Sequence, residues 1–211
     1  MRSNLTRIFQ QTRSIHSSNT FKMRIPYAPS TPPPNASHET QDIYKRIAAR
    51  RSPRPLIPLD LALLHNPAIA DGYNSLLGAI RTKSSFSQAL AELAICYIAV
   101  LNGAVYEWKA HAPIALKEGV AREKLQALLD GKGVSWERWT DEERDVLEFT
   151  EQSTKQVKVD DAVFERIKSR FSDQQVMELT ITVGGYNMVS RFLVALDVTE
   201  SNDKKMEMPA E

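Results

Sequence analysis

The chain has 211 residues, 42% of them hydrophobic and 25% charged, which is enough for one core of about 150 residues with tails. The formal net charge is only +1, and loss of the basic residues near the N-terminus would leave the protein slightly acidic, so nucleic acid is not expected as a partner. Cys96 is the single cysteine, which excludes an intrachain disulfide and intrachain dithiol chemistry.

Residues 1–22 have the composition of a mitochondrial transit peptide. They are rich in arginine and serine, contain no acidic residue, and place Leu5, Ile8 and Phe9 at helical spacing. We therefore expect the protein to be imported into the mitochondrial matrix. A disordered basic N-terminus without an import role is the alternative.

Residues 23–38 include the Pro-rich stretch "RIPYAPSTPPPN", which predicts an extended linker. A helix is expected from about Glu39, and Pro53, Pro55 and Pro58 end it. From Leu59 onward, apolar residues recur every three or four positions and never alternate, so the sequence predicts an all-α fold. No apolar run reaches 18 residues, and no membrane span is expected.

The later helices are bounded by glycines and by reciprocal capping pairs. Gly103, Gly119 and Gly131 are expected to end helices, whereas the sequences "TDEE" and "SDQQ" are typical of helix starts. The helical domain is predicted to span residues 39–200, with a disordered tail at 201–211. Its helices after residue 66 are expected at about 67–80, 86–101, 104–118, 121–129, 140–156, 160–171 and 172–196.

The sequence "VYEWKAH" at residues 105–111 places an acid and a base on one face of a predicted helix. Glu107 follows the Gly103 stop closely enough to lie in the first turn, where backbone amides favour a carboxylate, so we expect it to be ionised. His111 is four residues later and could pair with it as a proton donor and acceptor. A solvated surface pair without catalytic role is the alternative.

Glu92 is a third candidate because it lies on the preceding helix among apolar residues. A buried carboxylate without a partner is costly, so Glu92 must reach solvent or a base. If the two helices pack antiparallel across the Asn102-Gly103 turn, Glu92 and His111 lie at similar heights and could meet. The pattern Glu-x-x-x-His marks no third ligand, so we expect no metal site.

Three stretches resemble one protein family: "ELAI" at 92–95, "YEWKAH" at 106–111 with "EGV" after it, and "VGGYNMVSRFLVALDV" at 183–198. The linking "WTDEERDVLEF" also fits. Together they resemble the carboxymuconolactone decarboxylase-like proteins, in the superfamily of the alkyl hydroperoxide reductase D-type enzymes. The resemblance implies a single compact helical domain of the alkyl hydroperoxide reductase D-like type that forms homo-oligomers. The peroxidase branch has a Cys-x-x-Cys pair whose places fall on Ala104 and Glu107 here, so its dithiol mechanism is not expected.

The resemblance also implies a function. It suggests a cofactor-independent decarboxylase or lyase that acts on a small carboxylated or lactone-type substrate by acid–base catalysis. His111, Glu107 and Glu92 would then be the catalytic residues. The implied substrate-binding residues are Tyr106, Trp108, Tyr186, Asn187 and Arg191, with Arg191 either holding a substrate carboxylate or forming a salt bridge between helices. The alternative is a non-catalytic oligomeric helical protein, or an antioxidant-type relative that has lost dithiol peroxidase activity.

Overall fold

The computed structural model describes residues 23–131 and 138–210. Over these ranges the chain forms α-helices and no β-strand, which confirms the predicted all-α class. The predicted transit peptide, residues 1–22, lies outside the described residues. The helices are α1 (His38–Arg51), α2 (Pro58–Leu63), α3 (Pro67–Lys83), α4 (Gln88–Leu101), α5 (Val105–Lys117), α6 (Arg122–Leu129), α7 (Asp141–Lys155), α8 (Asp161–Arg170) and α9 (Asp173–Leu196).

Reciprocal side-chain caps begin two of the helices, as their sequences predicted. Before α7, the Glu143 amide donates to Thr140 Oγ1 at 3.2 Å, and the Thr140 amide donates to the Glu143 carboxylate at 2.8 Å. Ser172 and Gln175 make the same exchange before α9. Each pair satisfies two backbone amides that the first turn would leave free.

Glycines terminate the helices on either side of the candidate site. Gly103 has φ +65° and Gly119 has φ +95°, values in the left-handed region that residues with a side chain rarely adopt. Gly103 therefore allows the chain to reverse between α4 and α5 within three residues. α5 continues past its internal proline, Pro113, to Lys117.

α4 is the central helix of the domain and packs against α5, α7 and α9. It is buried along nearly its whole length, with Leu93, Cys96 and Ile98 fully excluded from solvent. α9 contacts α3, α4, α5, α7 and α8, so it joins the two hydrophobic clusters of the core. α4, α5 and α9 thus form the rigid frame on which the site is built.

The Pro-rich segment packs against the domain as well as linking to it. The Arg24 amide donates to the Leu196 carbonyl at 2.9 Å, and the Ala28 amide donates to the Leu61 carbonyl at 3.1 Å. Met23 and Ala28 are buried. The segment is extended, as its prolines indicated, but hydrogen bonds and apolar contacts hold it on the helices.

The prediction of a disordered C-terminal tail is corrected for residues 201–210. Trp108 Nε1 donates to the Glu207 carbonyl at 2.8 Å, and an Arg122 guanidinium nitrogen donates to the Pro209 carbonyl at 2.6 Å. Met206 and Met208 pack against the cluster around α4 and α5. Composition suggested fraying, but two apolar side chains and two long-range hydrogen bonds hold the segment against α5 and α6.

One described helix, α9, is long and apolar enough to cross a membrane when only length and composition are considered. Its mean hydropathy over the most apolar stretch is 1.3, and 44% of that stretch is buried inside the domain. Tyr186, Asn187 and Leu193 on this helix are all buried against neighbouring helices. Central helices of soluble proteins have the same character.

Candidate active site

A cavity of about 80 Å³ lies between α1, α3, α5 and α9. The family-resembling residues Glu107, His111, Tyr106 and Tyr186 all line it. The remaining walls are Arg50, Arg51, Ile57, Leu59, Tyr73, Leu77, Arg81, Ala110, Val189 and Leu193. Polar and charged groups of several elements therefore converge on one small space, as they do in binding and catalytic sites.

His111 and Glu92 form a buried pair at one side of the cavity. Nδ1 of His111 lies 2.7 Å from Oε2 of Glu92, and the two residues are 7% and 2% exposed. The Gly103 turn makes this contact possible because it brings α5 back along α4. A histidine whose Nδ1 is held by a carboxylate has a fixed ring orientation, and its Nε2 is the nitrogen that can exchange a proton with a ligand.

Glu107 differs from its sequence prediction. Its carboxyl group is buried, and neither oxygen has a hydrogen-bond partner in the described part of the structure. Burial, reinforced by the nearby Glu92 charge, raises the pKa of Glu107 well above its usual range. The enclosure of the side chain therefore favours its protonated form, and the desolvation cost outweighs the first-turn amides that were expected to keep it ionised.

The expected pairing of Glu107 with His111 is not formed, because Glu92 is the partner of His111. Both residues line the cavity, but it is Glu92 that contacts the His111 ring. The two carboxyl groups consequently differ, since one is bonded to a base and the other is a neutral acid. Environments that separate two carboxyl groups in this way are how acid and base roles are assigned in many active sites.

Two tyrosines complete the polar wall beside His111. The Tyr186 ring meets the His111 ring edge to face, with centroids 4.9 Å apart and planes at 84°. Burial raises the pKa of both Tyr186 and Tyr73 far above the ordinary phenol value. Both hydroxyls are therefore neutral and can donate hydrogen bonds to a ligand.

Arginines from α1 and α3 line the opposite part of the cavity. Arg51 makes a bidentate ion pair with the fully buried Asp60, at 2.7 and 2.8 Å. Asp60 also accepts from the Ile57 amide at 3.1 Å, which fixes the start of α2. Arg50 bonds the side-chain oxygen of Asn74. The Arg51–Asp60 pair thus ties α1 to α2 at the rim of the cavity.

Three of the residues predicted to bind substrate do not reach the cavity. Trp108 is completely buried on another face of α5 and bonds the C-terminal segment. Asn187 bonds Asn102 and Thr154. Arg191 bonds the Asn187 side chain. These residues stabilise helix packing, because their positions on α5 and α9 face away from the His111 side of each helix.

Sequence reasoning missed Tyr73, Arg50, Arg51, Arg81 and Asp60. One signal was available, because Asp60 lies within the apolar sequence "PLDLAL" and a carboxylate there needs a partner, as Glu92 did. The other residues carried no comparable signal. They come from α1 and α3, and only tertiary packing places those helices against α5.

Neither redox nor metal chemistry is suggested by the described residues. Cys96 is fully buried, and burial raises the pKa of its thiol further above the ordinary range, which makes it a poor nucleophile. Among residues 23–131 and 138–210 there is no group of three or more histidine, cysteine, aspartate or glutamate side chains that could hold a metal ion.

Known proteins resemble this chain in part of the sequence and in the fold. The model of the carboxymuconolactone decarboxylase family matches residues 67–152, which include Glu92, Glu107 and His111. No curated protein matches the chain. The fold is similar to that of a peroxidase-related protein with an alkylhydroperoxidase AhpD core from Ralstonia eutropha JMP134, at a TM-score of 0.68 and 18% identity over 88% of this chain and 95% of that one.

Two other solved structures have the same fold. A peroxidase-related protein from Silicibacter sp. TM1040 has a TM-score of 0.66 and 16% identity, covering 83% of this chain and 90% of its own. The debrominase Bmp8 has a TM-score of 0.59 and 18% identity, covering 81% of this chain and 92% of its own. A variant of that debrominase has been solved with 2,3,4-tribromopyrrole. At these identities the similarity shows the fold.

Proposed function

We propose that the protein is a cofactor-independent lyase, on the premise that residues 67–152 match the model of the carboxymuconolactone decarboxylase family. The substrate is a small carboxylated or lactone-type ring compound, and the reaction is decarboxylation with proton transfer to carbon. His111 and Glu107 are the catalytic residues, and Glu92 is the positioning residue. The observation that carries the proposal is the convergence of a carboxylate-held histidine and a neutral, unbonded glutamic acid on one cavity.

The reaction requires two contributions from the protein, which are stabilisation of charge and delivery of a proton. When the bond between carbon and the carboxylate breaks, CO₂ leaves and the electron pair moves into the adjacent unsaturated carbonyl system as an enolate. The site must stabilise the charge on that oxygen and deliver one proton to carbon. Protonated Glu107 supplies the proton to carbon. His111, protonated on both nitrogens for this step, donates from Nε2 to the developing oxyanion while its Nδ1–H is held by Glu92. Glu107 then recovers its proton from solvent.

The unusual state of Glu107 supports the catalytic role. A buried carboxyl group without a hydrogen bond lowers the stability of the fold. An apolar residue at this position would not have that cost. Groups with strongly displaced pKa values in a cavity are concentrated at functional sites, where the displacement suits proton transfer near neutral pH. The neighbouring Tyr73 and Tyr186 hydroxyls add neutral donors for a bound carbonyl or carboxylate.

The rival hypothesis is a non-catalytic helical protein that retains the fold. Under that hypothesis, the Glu92–His111 pair only fills the interior, and the cavity binds nothing specifically. Loss of dithiol chemistry fits both hypotheses, because the sequence has one cysteine. Turnover of a substrate separates them.

The test uses carboxymuconolactone, the substrate in the family's name, with related lactone and ring acids, and follows CO₂ release. His111→Gln and Glu107→Gln should each reduce turnover by about 100-fold or more while melting temperature and molecular size stay near those of the wild type. Glu118→Gln is the matched control, since Glu118 is exposed at the end of α5 and lines no part of the cavity. Unchanged turnover in both site variants would refute the assignment.

Two further properties are proposed from sequence and resemblance. We propose mitochondrial import directed by residues 1–22, tested by the location of a fluorescent fusion with and without those residues. We also propose a homo-oligomer, tested by light scattering of the purified protein. A cytosolic fusion or a monomeric mass would overturn the respective proposal.

A further inference from the structure

The cavity is lined by more positive than negative side chains, and the acid–base residues do not account for this excess. Three arginines line it, and Asp60 neutralises one of them, Arg51, through the bidentate pair. Arg50 has only the neutral Asn74 side chain as a hydrogen-bond partner within the described ranges. Arg81 makes no hydrogen bond or ion pair with any described residue. Two guanidinium groups therefore face one small cavity without a carboxylate from those parts of the chain.

The surroundings do not neutralise these cations in another way. Glu107, the acid that lines the same cavity, is uncharged because of its burial, and the Glu92 carboxylate is bonded to His111. Burial lowers the pKa of Arg50, and the positive charges of Arg51 and Arg81, which line the same cavity, lower it further. A bound anion would relieve this repulsion.

Local packing also directs the Arg50 guanidinium toward the cavity wall. Arg50 lies at the end of α1 against Gly78 of α3, where its Nε would be 3.7 Å from an added Cβ. Arg81 is one turn further along α3, and its charge acts on Tyr186, which borders His111. An anion between Arg50 and Arg81 would consequently lie in the same space as the His111 ring.

From this geometry we propose that Arg50 and Arg81 form the carboxylate subsite of the cavity and select small organic acids over their neutral analogues. The planar guanidinium donors suit a carboxylate, and Arg81 is half-buried whereas Arg50 is exposed at the mouth of the cavity. Arg50 comes from α1, outside the family-matched residues 67–152, whereas Arg81 lies on α3 within them. This role replaces the one that the sequence suggested for Arg191. The identification of the bound anion as a substrate rests on the proposed function. The binding of a carboxylate by the two arginines does not depend on it.

The test measures binding by calorimetry, with 2-furoate as probe and 2-furamide as the uncharged analogue of the same shape. The wild type should prefer 2-furoate, with an affinity that falls as salt increases. Arg81→Gln and Arg50→Gln should each weaken 2-furoate binding by about tenfold or more and leave 2-furamide binding nearly unchanged. Arg54→Gln is the control, since Arg54 is exposed and does not line the cavity.

Each outcome of the experiment decides the proposal. Failure of the wild type to prefer 2-furoate, or equal affinity in the wild type and both cavity variants, would overturn it. A variant that loses 2-furoate selectivity must keep the wild-type melting temperature to count as support. The double variant Arg50→Lys, Arg81→Lys retains both charges and should bind 2-furoate more tightly than either Gln variant does. The same measurement on His111→Gln separates the two proposals, because that variant should lose turnover and keep the preference for 2-furoate.

Discussion

Glu92 on α4 and His111 on α5 are in contact at 2.7 Å although 19 residues separate them in the chain. The contact fixes the imidazole ring at the edge of the cavity, and Tyr186 from α9 packs against the other side of that ring. Three helices thus determine one side-chain orientation. Positioning of this kind is what proton transfer to a small substrate requires.

The first prediction concerns Glu92. Glu92→Gln removes the carboxylate that holds Nδ1 of His111 and should lower turnover by about 100-fold, with an altered pH profile, because the imidazole loses its orienting partner. Glu92→Ala should in addition cost about 1 to 3 kcal/mol of unfolding free energy, since buried Nδ1 loses its partner. Initial rates across pH and urea unfolding measure the two effects. An unaltered pH profile in Glu92→Gln would show that Glu92 does not position the base.

The second prediction concerns the pH dependence of stability at Glu107. Because burial raises its folded-state pKa above the ordinary 4.5, the folded protein holds the proton more tightly than the unfolded chain. The unfolding free energy of the wild type, relative to Glu107→Gln, should therefore be highest below about pH 4.5 and fall as pH rises toward the folded-state pKa. The slope can reach about 1.4 kcal/mol per pH unit. A difference that stays constant from pH 4 to 8 would contradict a protonated Glu107.

The third prediction concerns the buried Arg51–Asp60 pair. Asp60→Asn leaves a partly buried guanidinium without its counter-charge and should cost about 3 to 5 kcal/mol of unfolding free energy. Replacing both partners, as Arg51→Met with Asp60→Leu, should cost less than the single change because no charge remains unpaired. Denaturant titration of the single and double variants tests this. Additive losses would show that the two side chains do not act as a pair.

The fourth prediction concerns the C-terminal segment. Deleting residues 203–211 removes the bond from Trp108 Nε1 to Glu207 and the apolar contacts of Met206 and Met208, and should cost about 2 to 4 kcal/mol. The double variant Met206→Ala, Met208→Ala should account for most of the loss. Thermal and urea unfolding measure it. Identical stability of the truncated and full chains would restore the prediction of a disordered tail.

The local features of the fold were well predicted from the sequence. The helix starts at Thr140 and Ser172 and the stops at Gly103 and Gly119 depend on residues within one turn of each other, so their physics is visible in a short stretch. The Glu92–His111 contact was also accessible, because a carboxylate on an apolar helix face needs a partner and the turn limited the choice.

The environment of each site residue was less predictable. Glu107 occupies a first-turn position that favours charge, yet its side chain is enclosed by other helices and is neutral. Asn187 and Arg191 are polar residues of the family-resembling stretch on α9, but they bond to Asn102, just after α4, and to Thr154 of α7. Such outcomes depend on the direction in which each helix face points after packing.

The sequence by itself determined the helical class, most helix boundaries, the lack of a second cysteine for dithiol chemistry and the pairing of Glu92 with His111, because these follow from residue type and short-range spacing. Only the tertiary structure decided that Glu107 is protonated, that Arg50 and Arg81 face the same cavity as His111, and that residues 201–210 are packed. The reason is physical, since burial and the field of neighbouring charges arise only when distant segments of the chain come together.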